Sequence, residues 1–199
     1  MSELKSEAQL DLEAIEAASA RGHALDFPRT AISDVLDAIV GAFHLVINWI
    51  WVVLIVLIVV NVLLRYVLGT NFIALEELQW HLFAVGWLIG LAYAMKLDGH
   101  VRVDVLADRL RPRTRAWIEL IGLVLFVLPL CYIMIRDGWP FVERAWRINE
   151  VSAAPGGLPH RWVIKSVIIL AFSLLALAAV SRILRVTASL FGRPAPRVG

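Results

Sequence analysis

Residues 38–64 read AIVGAFHLVINWIWVVLIVLIVVNVLL, a run without one Lys, Arg, Asp or Glu. As an α-helix it would extend roughly 40 Å, against about 30 Å for the hydrocarbon core of a bilayer. Lipid offers no hydrogen bonds, so a segment crossing it must pair its own backbone groups, and a helix does so within one chain segment. The run is therefore read as a tilted transmembrane helix, and the rest of the chain is ordered around it.

Three further apolar runs follow, from about 78 to 95, 116 to 135 and 162 to 181. Glu119 lies near one end of the third, and Lys165 lies close enough to an end of the fourth to snorkel. Trp80, Trp117, Trp139 and Trp162 fall near span ends, where indole rings favour the interface. Hydrophobic residues make up 60% of the chain and the mean hydropathy is +0.76, well above a soluble domain. The single cysteine, Cys131, rules out an intrachain disulfide. Basic residues sit beside apolar spans and form no patch on a soluble fold, so a nucleic-acid partner is not expected. The fold class is an all-α integral membrane protein with four transmembrane helices plus short interfacial helices. Its expected divisions are a polar N-terminal tail (1–30) without a secretory signal, a membrane domain (31–186) and a C-terminal tail (187–199).

With four spans, both termini share a side. That side collects Lys5, Arg21, Arg29, Lys96, Arg102, Arg109, Arg111, Arg113, Arg115, Arg182, Arg185, Arg193 and Arg197. The other collects Arg65, Arg136, Arg144, Arg147, Arg161 and Lys165. The positive-inside rule then places both termini in the cytoplasm. On the opposite side, DGWPFVERAWRINEV (137–151) reads as a short surface helix and SAAPGGLPH (152–160) as a turn-rich loop. Val105, Leu106, Arg109 and Leu110 fit a short interfacial helix with its arginines toward lipid headgroups.

Polar residues at the span ends are the candidates for function. Arg65 and Tyr66 close the first span, Gly69 and Asn71 suit a turn, and Glu76 and Glu77 open the second. An arginine near lipid favours a carboxylate, so Arg65 is expected to pair with Glu76 or Glu77 and anchor the helix ends. Glu77 and His81 share a helix face, but two ligands do not make a metal site. His44 and His100 raise a haem anchor as a rival, although His100 lies at the very end of its span. Asn48 and Asn61 are expected to hydrogen-bond across helices, and Pro129 to bend the third span. Gly86, Gly90 and Ala94 make a smooth stripe on the second span, with Trp80 and Trp87 on another face. One face should meet this chain's own helices and the other a partner subunit, and the sequence leaves open which. No nucleophile with a base, phosphate-cradling glycine loop or metal-ligand cluster is visible.

The order of these features resembles a known family. Arg65-Tyr66 ends the first span, Glu76-Glu77 precedes Trp80, DGHVRVD (98–104) follows the second span, and PGGLP (155–159) precedes the last. Together, over about residues 35–185, they resemble the small membrane subunit, or DctQ component, of tripartite ATP-independent periplasmic (TRAP) transporters. GHVRVD, with His100, Arg102 and Asp104, is the most specific element, and EELQWHL is most similar to the branch labelled mannitol/chloroaromatic. The resemblance implies a non-catalytic small permease of the bacterial inner membrane, without catalytic residues, metal or cofactor. Its partners would be a large membrane subunit, a periplasmic substrate-binding protein and membrane lipids. It also implies sodium-driven import of an organic anion of the carboxylate or 2-oxo acid class. A haem- or quinone-linked anchor of a redox enzyme is the alternative. Arg65, Tyr66, Glu76, Glu77, Trp80, His81, Gly86, Trp87, Gly90, His100, Arg102 and Asp104 are the candidate structural and interface residues.

Overall fold

The computed structural model describes residues 27–97 and 110–192. They form four long helices: α1 (Ala31–Val67), α2 (Ile73–Lys96), α3 (Pro112–Arg147) and α4 (Trp162–Phe191). No strand occurs among the described residues. Each helix is long and apolar enough to cross a membrane. His100, Arg102, Asp104 and nearly all of the expected 105–110 interfacial helix lie outside the described residues.

Each helix outruns its apolar window, for local reasons. α1 starts seven residues early because Thr30 and Ser33 form a reciprocal capping box: the Ser33 amide donates to Thr30 Oγ1 (3.2 Å) and the Thr30 amide to Ser33 Oγ (3.0 Å). α3 does not stop near residue 135. The segment expected to be a separate surface helix continues it to Arg147, even though Pro140 inside it lacks the N–H that would reach Arg136 O. Proline at Pro112 opens this helix, where its missing N–H costs nothing. A π-helical segment, Leu123–Val127, interrupts α3 just before Pro129, and the Leu128 amide reaches back five residues to Leu123 O. The wider turn is the local adjustment at the proline that the sequence had suggested as a bend. α4 runs on to Phe191, past residue 187, because Val186 and Ala188 are buried.

α4 is the hub, packing against α2, α3 and α1, while α1 and α2 also pack together. Its inner face is built of small residues: Ala171, Ala178, Ala179 and Ser181 are all at least 98% buried. Apolar side chains gain little by leaving lipid for protein, so close backbone approach and dispersion must hold such helices. The main core joins Val40 of α1, Ile89 and Ala92 of α2, Cys131 of α3 and Leu174 of α4. A smaller one joins Phe27, Ala116 and Val186 at the end carrying the described termini.

Candidate functional site

At the other end of the bundle lie the α1–α2 hairpin and the α3–α4 loop. Gly69, at φ 62°, makes the hairpin turn expected of it, and the Thr70 amide donates to Leu64 O (3.3 Å). The next helix brings Glu77 under the loop. Its carboxylate accepts the Ser152 hydroxyl at Oε1 and the Leu158 amide at Oε2 (2.7 Å). The loop closes on itself around this anchor. The Ser152 amide donates to Leu158 O (3.1 Å), the Ala154 amide to Ser152 Oγ (3.2 Å) and the Gly157 amide to Ala154 O (3.0 Å). PGGLP thereby receives a physical reason. Gly156 stands at φ 77°, and a Cβ on Gly157 would fall 2.5 Å from Ser152 Cβ and 2.9 Å from Glu77 Oε2. Two motifs about 80 residues apart are parts of one clasp.

The clasp is braced on its α4 side. Glu150 pairs with Lys165, its carbonyl accepts the Arg161 amide (3.0 Å), and the Lys165 ammonium lies 4.0 Å from the Phe141 ring centroid. Trp146 and Trp162 meet edge to face, with centroids 4.3 Å apart. His81 Nδ1 lies 2.6 Å from its own helix's Glu77 carbonyl; a carbonyl only accepts, so this nitrogen carries the proton. Glu77 and His81 thus turn to different partners rather than to a shared ligand.

Arg65 is exposed and forms no ion pair with Glu76 or Glu77, which corrects the expected anchor. The loop's donors hold the Glu77 carboxylate instead. Glu76 is half-buried and Tyr66 is 83% exposed. Asn48 and Asn61 do not bridge helices either: Asn48 is exposed, and Asn61 is buried with Oδ1 unpartnered. The amide that crosses from α2 to α1 is Gln79, whose Nε2 donates to Leu57 O (3.2 Å).

The two faces of α2 are resolved by packing. A Cβ on Gly86 would meet the Trp51 ring at 3.0 Å, so this stripe receives an indole of α1. Gly90 has open space where a Cβ would sit, while Trp80 and Trp87 are 74% and 58% exposed. His44 stacks on Tyr93, with centroids 3.5 Å apart and planes 4° from parallel.

A second polar knot, at the end carrying the described termini, was not found from sequence. Asp37 of α1 accepts the Ser181 hydroxyl (2.7 Å) and pairs with Arg185 of α4. Arg185 Nε also donates to Ser33 Oγ (3.3 Å). Arg182 pairs with Glu119 of α3 and lies over the Phe27 ring, 4.9 Å from its centroid. These groups are largely buried, so the paired arrangement offsets the cost of removing charge from water. The available signal was Asp37 placed just ahead of an apolar run, with two arginines one turn apart at the far end of another. Among the described residues, no three His, Cys, Asp or Glu are grouped so as to hold a metal. Both knots bind helices to one another and aim no nucleophile or base into a cavity.

Two comparisons bear on this architecture. Residues 54–189 match the family model described as tripartite ATP-independent periplasmic transporters, DctQ component. Over 108 residues the chain is 28% identical to a Haemophilus influenzae protein provisionally named a TRAP transporter small permease. That alignment covers 53% of this chain and 65% of the relative, so it spans less than two thirds of the relative's length.

Proposed function

We propose, from the premise that this chain belongs to the DctQ component family of tripartite ATP-independent periplasmic transporters, that it is the non-catalytic scaffold beside the subunit that moves substrate. As a family member it is a small permease, a membrane component of a multi-subunit transporter. The observation that carries the scaffold reading is the use of its polar side chains. Glu77, Asp37, Glu119, Lys165, Arg182 and Arg185 are engaged within the chain, tying helix ends and the loop together. A rigid, tied bundle with apolar outer faces suits a static wall. Substrate and ion sites are then assigned to a large membrane subunit.

The finer reading follows from the resemblance. The cargo is an organic anion of the carboxylate or 2-oxo acid class, imported on a sodium gradient after capture by a periplasmic binding protein. The clasped loop and the α1–α2 hairpin lie at one end and form a small platform to which that protein can dock. The basic-residue bias puts this platform outside and both termini in the cytoplasm of a bacterial inner membrane. The test is reconstitution of the large subunit with and without this chain, supplied with the binding protein and a radiolabelled carboxylate. Sodium-dependent uptake should require both membrane chains. Equal uptake by the large subunit alone would refute the scaffold reading.

A further inference from the structure

We infer that the cleft between α1 and α2, with Asn48 on its shoulder, is the seat of a transmembrane helix of the large subunit that supplies a hydrogen-bonding side chain. This rests on the scaffold reading above and deepens it by naming the surface.

The cleft is about 240 Å³ and is lined by His44, Ile47 and Trp51 of α1 and by Trp87, Gly90 and Ala94 among residues of α2. Gly90 leaves it open, with nothing within 4 Å of where a Cβ would lie. Asn48 follows His44 by four residues and precedes Trp51 by three, so helix geometry sets it beside them on the outer shoulder. Counted from the start of the apolar run it stands about 15 Å along the helix axis, roughly 11 Å deep at the tilt that fits a ~40 Å helix to a ~30 Å core, well inside the hydrocarbon. There it is exposed and forms no side-chain hydrogen bond among the described residues. Its neighbours Leu45, Trp49 and Val52 are 72%, 70% and 51% exposed and are suited to lipid, but an amide is not. Acyl chains offer an amide nothing, and polar side chains at this depth are expected to face protein. An exposed amide at this depth, beside an open cleft, calls for a polar group from outside this chain. A component of a multi-subunit transporter has such a neighbour. Trp87, 58% exposed on the rim, supplies the large apolar contact such a helix would cover.

The experiment uses the co-expressed complex. A photo-reactive amino acid is placed at position 48 and, as a control, at Phe126, which is 72% exposed on α3. Position 48 should give an adduct with the summed mass of the two membrane subunits, and position 126 should not. Asn48→Leu should leave the small subunit monodisperse by itself and lower the co-purified large subunit about three- to tenfold, the worth of one interhelical hydrogen bond. The inference falls if position 48 cross-links a second copy of this chain or lipid alone, or if position 126 captures the large subunit instead. It also falls if Asn48→Leu retains the wild-type amount of partner. A wild-type chain that captures no large subunit under any condition would overturn the scaffold reading itself.

Discussion

Glu77 and Gly157 show how one clasp depends on both members. The carboxylate is held by a hydroxyl and a backbone amide, and the glycine lets the loop approach it closely. Glu77→Gln keeps the shape but places an NH₂ where one donor now points, so one of the two donors loses its acceptor. The expected result is faster proteolytic cutting between residues 152 and 160, with the helices intact by circular dichroism. Unchanged cutting would mean the clasp contributes nothing to loop order. Gly157→Ala forces the new methyl against Ser152 and Glu77 and should cost about 1–3 kcal/mol by overpacking. The matched change Gly156→Ala instead meets no atom but strains a left-handed backbone. Arg65→Ala, at an exposed residue without a carboxylate partner, should shift thermal stability by less than about 0.5 kcal/mol. A large loss there would restore the ion pair that the structure lacks.

Helix pairing is decided at the ends of α1 and α4, where Asp37 and Arg185 meet. Removing one partner of a buried pair leaves a charge in a poor solvent, at a cost of roughly 3–5 kcal/mol when burial is complete and less near an interface. Asp37→Ala is therefore expected to lower the unfolding midpoint of the purified protein, followed by tryptophan fluorescence. The double change Asp37→Ala with Arg185→Leu should recover much of that loss, because no unmatched charge remains. A double variant no better than the single would show that Ser181, rather than Arg185, holds Asp37 in place.

For the molecule as a whole, the bundle has a clasped end and an end where its described termini lie, and the proposed orientation puts the clasp outside. Position 156 is exposed at the crest of the loop. With Cys131 replaced by alanine, a cysteine at 156 should react with an impermeant thiol reagent in intact cells. Labelling only after lysis would invert the orientation and move the proposed docking platform to the cytoplasm.

Composition and an uncharged run of apolar residues determined by themselves that this chain is a four-helix membrane protein, because lipid allows a single-segment backbone few other solutions. The spacing of Glu76-Glu77, DGHVRVD and PGGLP likewise marked the transporter family that the comparisons support. Partner choice was not legible. Opposite charges near a span end suggested Arg65 for Glu76 or Glu77, yet carboxylates take whatever donors packing delivers, and to Glu77 packing delivered Ser152 and Leu158. Asn61 and Gln79 show the same limit: both are amides near one end of the bundle, and only their rotation about the helix axes decided which one bridges. The Asp37–Arg185 contact spans nearly the whole membrane domain in sequence and carries no periodic signal. It exists because α4 is built of small residues that let α1, α2 and α3 close around it, and that is a property of three-dimensional packing.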